Sequence, residues 1–224
     1  MNLREDGRKR LKSKLTSMTK RSSINLSELG DQVPKRGNWV TRTMGRSLMW
    51  LFGWKFDGSM PNITKCVVIG APHTSNWDFP LAMAAVYALG INFSWLAKHT
   101  FVDGPLRPLL IRMGGVSVDR RAASGTVGQA VAQFNGRSQF WLGILPEGTR
   151  KKTDGIKLGF YYIAKSANVP ILPLTMDYGR KMVGIMPLIE SDDDVAVVLS
   201  QVEAIYKDVI GKKPQNFIIG VKNK

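Results

Sequence analysis

From residue 65 onward, short apolar runs rich in β-branched residues alternate with stretches of helical periodicity, and this alternation limits the chain more than any other feature does. The run Lys65–Ala71 reads as a buried strand, 79–89 as a helix and 92–97 as a strand. Further on, 106–113 reads as a short helix, 116–118 as a short strand and 125–134 as a helix. Then come a strand over 138–145 that runs into a loop, a helix over 158–166, a strand over 170–175 and a long amphipathic helix over 193–210. Strands alternating with helices predict an α/β fold with a mainly parallel sheet flanked by helices. No internal repeat and no GxxxxGK[ST] loop is present.

The part before this pattern is different. Residues 1–34 are polar, rich in Ser, Lys and Arg, and weakly periodic, and read as a basic arm. Residues 35–60 carry Trp39, Val40, Met44, Leu48, Met49, Trp50, Leu51, Phe52, Trp54 and Phe56, with Arg42, Arg46 and Lys55 between them. Trp and Arg on a short amphipathic helix suit the headgroup region of a bilayer; a core-packing helix with a Trp-rich face is the other reading. Residues 61–224 then form the α/β domain. The chain has 32 Lys and Arg against 17 Asp and Glu, a formal net charge of +15. Its first 50 residues alone hold 12 basic and 4 acidic side chains. Such an excess calls for a polyanionic partner, and its place in an arm rather than on a recognition element argues for an anionic membrane surface and against nucleic acid.

Residues 79–97 lack charge and are long enough to span a bilayer, but Pro80, Gly90, Asn92 and Ser94 break them into a helix and a strand. With no apolar stretch of signal-peptide type after the basic N-terminus, the expected location is peripheral, on the cytoplasmic face of the membrane. The single cysteine, Cys66, lies in an apolar run; it permits no intrachain disulfide and no Cys-rich metal site, and is expected to be buried.

Three clusters carry polar chemistry. His73 directly follows the first strand of the α/β pattern, and Asp78 lies five residues on, where the next helix begins. Catalytic groups in α/β folds gather beyond the carboxyl ends of strands. A carboxylate on one imidazole nitrogen fixes the tautomer and makes the other nitrogen a better base. Alternatively, Asn76 or Asp78 caps the helix and His73 is incidental. The second cluster, Glu147-Gly148-Thr149-Arg150, also follows a strand; Arg150 suits a phosphate, Thr149 can donate a hydrogen bond, and Gly148 allows close backbone approach. A surface turn with a Glu–Arg pair is the plainer reading. The third, Gly114-Gly115-Val116-Ser117-Val118-Asp119-Arg120-Arg121, places arginines at a strand end. Val169-Pro170-Ile171-Leu172-Pro173 reads as an apolar wall. His99 reads as a structural histidine.

The order His73-x4-Asp78, Gly114…Asp119-Arg120, Glu147-Gly148-Thr149-Arg150, Val169-Pro170-Ile171-x-Pro173 resembles the glycerolipid acyltransferase family, typified by the 1-acyl-sn-glycerol-3-phosphate acyltransferases. The four blocks cover about half of the chain, and Lys98, Lys157 and Gly159 also resemble positions of that family. Ser117 stands where the family usually has an aromatic residue, and the first block reads Pro-His-Thr-Ser-Asn-Trp-Asp instead of the commoner His-Gln-Ser form.

The resemblance implies an O-acyltransferase of phospholipid biosynthesis. An acyl chain would pass from acyl-CoA or an acyl carrier protein to the hydroxyl of 1-acyl-sn-glycerol 3-phosphate, giving phosphatidic acid. His73 would be the general base and Asp78 its partner. Arg120, Glu147, Gly148, Thr149, Arg150, Lys98 and Lys157 would bind substrate, with N–H groups near Gly148 facing the oxyanion. Neither a metal nor a resident cofactor is implied. Other acceptors (glycerol 3-phosphate, another lysophospholipid, a lyso-ornithine lipid) and a non-catalytic anionic-lipid-binding protein are the alternatives. Ser75 as a nucleophile has no support beyond its place in the loop.

Overall fold

The structure, a computed structural model, describes residues 29–98, 104–105, 107–118, 125–152 and 155–220, with only the backbone of 97 and 98. Its elements are α1 (Trp39–Leu51), β1 (Lys55–Gly58), β2 (Lys65–Ala71), α2 (Asp78–Leu89), β3 (Phe93–Lys98), α3 (Arg107–Arg112), β4 (Gly115–Val118), α4 (Gly125–Asn135), β5 (Phe140–Ile144), α5 (Gly159–Ala167), β6 (Ile171–Asp177), β7 (Met182–Ile185), α6 (Val195–Tyr206) and a 3-10 turn at Pro214–Asn216. The strands form one sheet in the order β1-β7-β6-β2-β5-β3-β4. Every pairing is parallel except β6 with β7.

Strand β2 shows why the sheet has helices on both faces. Side chains alternate along a strand. Val67, Ile69 and Ala71 join the core made with α4, α5 and α6, through Phe134, Phe160, Ile163, Val198, Val202 and Tyr206. Cys66 and Val68 point the other way, to Val33, Leu89, Ile91, Trp141, Leu172 and Ile185. Cys66 is fully buried, and desolvation drives its thiol well above the ordinary range. Full burial of each Val or Ile is worth about 1.5–3 kcal/mol, so both layers are strongly held.

Helix α1 opens with a capping box: the Asn38 side chain accepts the Thr41 N–H, and the Thr41 hydroxyl accepts the Asn38 N–H. It packs on α2 through small residues. Gly45 is buried so closely against Ala84 and Ala88 that an added Cβ would lie 2.4 Å from the Ala88 nitrogen. Met49, Trp54, Ala85 and Val183 complete that contact. The opposite face of α1 and the turn after it leave Trp39, Val40, Met44, Leu48, Trp50, Leu51 and Phe52 exposed. No described helix is long and apolar enough to cross a membrane.

Several expectations change here. Part of the stretch expected as a helical appendage, Lys55–Gly58, is a strand paired parallel to β7 and knit into the sheet. Residues 29–34 of the expected arm pack on the domain: Val33 is buried, and the Asn92 N–H donates to the Pro34 carbonyl at 2.7 Å. Residues 1–28 lie outside the described residues. The final helix stops at Tyr206, short of 210, and the chain beyond it runs to the sheet end, where the Ile210 carbonyl accepts the Tyr178 N–H at 2.8 Å.

Candidate active site

The sheet reverses its direction of growth at β2 and β5. These neighbours are parallel, but the chain leaves β2 toward β3 on one side and leaves β5 toward β6 on the other. Such a switch point opens a crevice beyond the strands' carboxyl ends. The loops after β2, β5 and β6 all end there, because Ile69 pairs with Ile144 and Ala71 with Thr175.

His73 stands two residues past β2. Its Nδ1 lies 3.3 Å from Oδ2 of Asp78. Asp78 opens α2 and is 1% exposed, so its charge requires partners. Oδ2 also accepts the N–H groups of Thr74 and Ser75, each at 2.7 Å, and Oδ1 accepts the Tyr178 hydroxyl at 2.7 Å. Burial works against the Asp78 carboxylate, but the bonds from His73, Tyr178 and Ser75 outweigh it and hold its pKa below the ordinary value. Both bonded N–H groups precede the helix, so Asp78 acts on the loop, not as a helix cap. With Nδ1 occupied, Nε2 of His73 is the nitrogen left for a proton acceptor's role.

Glu147 is 1% exposed and sits behind the loop. Its Oε1 accepts the His73 N–H at 2.6 Å, and its Oε2 has no hydrogen-bond partner. Burial lifts its carboxyl to about 7, against the lowering effect of the His73 bond and with a further lift from the Asp78 charge. Placed there, Glu147 braces the backbone of the residue that carries the imidazole. Gly148 bends the chain with φ of +66°, and its N–H closes a turn onto the Leu145 carbonyl at 3.0 Å. The Lys157 ammonium lies over this bend: a Cβ on Gly148 would meet its Nζ at 3.0 Å. Thr149 and Arg150 are exposed beside it; the Thr149 hydroxyl accepts the Lys151 N–H, and the Arg150 carbonyl accepts from Asn216. The geometry therefore brings together His73, Asp78 and Glu147, with Gly148, Thr149, Arg150 and Lys157 along the adjoining loop. Arg120, Asp119, Arg121 and His99 lie outside the described residues, as does the Lys98 side chain at the end of β3.

Tyr178, one residue past β6, was not marked by the sequence. Burial and the neighbouring Asp78 carboxylate raise its phenol, which keeps it a proton donor. Its ring meets Trp54 edge-on at 4.9 Å between centroids, and the Lys212 ammonium lies 4.9 Å from the Trp77 ring and 5.9 Å from the Tyr178 ring. No group of three or more His, Cys, Asp or Glu among the described residues is arranged to hold a metal.

Residues 57–177 match a family model described as Acyltransferase. That segment includes β2 to β6, and with them His73, Asp78 and Glu147. No curated protein matches the chain. Among solved structures, the fold is similar to the crystal structure of the 1-acyl-sn-glycerophosphate acyltransferase PlsC from Thermotoga maritima, with 22% identity and a TM-score of 0.55 over 75% of this chain and 76% of that one.

Proposed function

The chain belongs to the Acyltransferase family, and on that premise we propose that it moves a fatty acyl group from acyl-CoA or an acyl carrier protein onto the hydroxyl of 1-acyl-sn-glycerol 3-phosphate, giving phosphatidic acid. The observation that carries this reading is the His73–Asp78 pair, 3.3 Å apart at the switch-point crevice. Nε2 of His73 takes the proton of the acceptor hydroxyl as the oxygen attacks the thioester carbonyl. Asp78, on Nδ1, stabilises the imidazolium. The tetrahedral intermediate collapses, the carbon–sulfur bond breaks, and the departing sulfur takes the proton back from His73. Arg150 and Lys157, beside the Gly148 bend, supply positive charge for the acceptor's phosphate, with Arg120 and Lys98 as further candidates.

Membrane placement belongs to the same proposal. Both substrates partition into lipid, and the exposed face of α1 presents two tryptophans at 77% and 80% exposure, Trp39 and Trp50, with Leu51 and Phe52. An open depression of about 460 Å³ beside it is lined by Asn38, Trp39, Arg42 and Arg46, which suits anionic headgroups. The enzyme then works peripherally, on the cytoplasmic face.

The test is acyl transfer from labelled acyl-CoA to 1-acyl-glycerol 3-phosphate in phosphatidylglycerol vesicles. Wild type turns over and His73→Ala does not. Equal activity in both would remove His73 from the chemistry, and none in either would refute the substrate pair.

A further inference from the structure

A base that must accept a proton near neutral pH is limited by how tightly its neighbours hold the protonated form. Asp78 is the acidic side chain on the His73 imidazole, and its two oxygens are used differently. Oδ2 faces His73 and is fixed by the Thr74 and Ser75 N–H groups. Oδ1 accepts the Tyr178 hydroxyl at 2.7 Å, from a strand end 100 residues away. A hydrogen bond to Oδ1 draws negative charge away from Oδ2, so Asp78 attracts the imidazolium less. Tyr178 itself is well fixed: the Trp54 ring packs on it, its N–H donates to the Ile210 carbonyl, and the Lys212 ammonium sits near its ring.

We infer that Tyr178 is a positioning residue that, through Asp78, sets the pH range over which His73 stays unprotonated and able to act as a base. This rests on the acyltransferase reading above. Among the described residues, the charged and titratable groups set against this network are Asp78 from α2, Glu147 on the His73 N–H, and Lys212, from the segment after α6, over the Tyr178 ring; Arg180 is turned to Asp177. In Tyr178→Phe the ring contact with Trp54 remains, and the two backbone N–H groups still hold Oδ2. What is lost is the bond to Oδ1, and with it both the draw on the carboxylate's charge and the partner of a buried oxygen, so the variant is also somewhat less stable.

The experiment measures two things on wild type and Tyr178→Phe. The first is the titration of the His73 imidazole by NMR, assigned with His73→Ala in a chain of only two histidines. The second is the pH dependence of kcat and KM with the labelled acyl-CoA and 1-acyl-glycerol 3-phosphate. The variant is expected to titrate at His73 at a higher pH than wild type. Its kcat falls up to about tenfold on the acid side, recovers to the wild-type value at high pH, and KM stays constant. A His73 titration that does not move overturns the inference, as does a loss of kcat equal at every pH. The NMR arm stands without turnover, so failure of the substrate assignment leaves it readable. Should the Phe variant fold poorly, Trp54→Phe, which keeps the hydroxyl, must titrate at His73 as wild type; a shift there would also overturn the inference.

Discussion

The buried carboxyl of Glu147 makes a pH-dependent stability that one substitution removes. Its side chain is 1% exposed, bonded at Oε1 to the His73 N–H and unpartnered at Oε2. Below its ordinary value of 4.5 the group is protonated in both folded and unfolded chains, and the folded state keeps its full advantage. Between 4.5 and about 7 the unfolded chain has lost the proton while the folded chain retains it, so stability falls as pH rises. Above about 7 the folded chain holds a buried carboxylate and the whole difference is gone. At roughly 1.4 kcal/mol per pH unit that gap amounts to about 3 kcal/mol. Glu147→Gln removes the ionisation. Its carbonyl can still accept the His73 N–H, while its amide brings donors to where Oε2 has no partner, a pH-independent cost of about 1–3 kcal/mol. The slope, not the offset, is therefore diagnostic. Urea unfolding followed by tryptophan fluorescence at about pH 5 and pH 8 should show wild type losing about 2–3 kcal/mol more than the variant across the interval. Parallel losses in the two proteins would refute this account of Glu147.

Other outcomes follow from the same geometry. Asp78→Asn takes the charge from the His73 partner and lowers kcat by about three to four orders of magnitude in the vesicle assay; a loss under tenfold would count against a dyad. Gly45→Val drives a side chain into the Ala84–Ala88 backbone, costs about 2 kcal/mol and lowers Tm by about 4–8 °C; an unchanged melting curve would mean α1 is not seated there. Replacing Trp39 and Trp50 together by Ser removes exposed apolar surface only, so Tm holds while co-sedimentation with anionic liposomes falls at least about tenfold; full retention would refute the membrane face.

The α/β alternation was legible because its strands are apolar and β-branched, as in Cys66-Val67-Val68-Ile69. The edge strand β1 was not: Lys-Phe-Asp-Gly has one apolar residue, and its register, Lys55 with Met182, is fixed by a partner over a hundred residues away. His73 and Asp78 share one loop, so spacing alone placed them together. Glu147 and Tyr178 reach that loop from other strand ends, 74 and 100 residues distant. Strand order decides such meetings, and local pattern does not encode it. A polar residue just past an apolar strand, as in Met176-Asp177-Tyr178, was the one available signal for Tyr178.

The seating of β1 changes how the chain is handled at the bench. A cut before residue 61, the obvious way to shed the tryptophan-rich helix, would also remove the strand that covers β7. Four residues of β7 would then present bare N–H and C=O groups to any passing chain, with Val183 stripped of Met49 and Trp54. Such a truncated protein is a candidate for edge-to-edge aggregation, and its insolubility would be mistaken for greasiness of the domain. Polar substitutions on the outer face of α1 reach a well-behaved protein without opening the sheet.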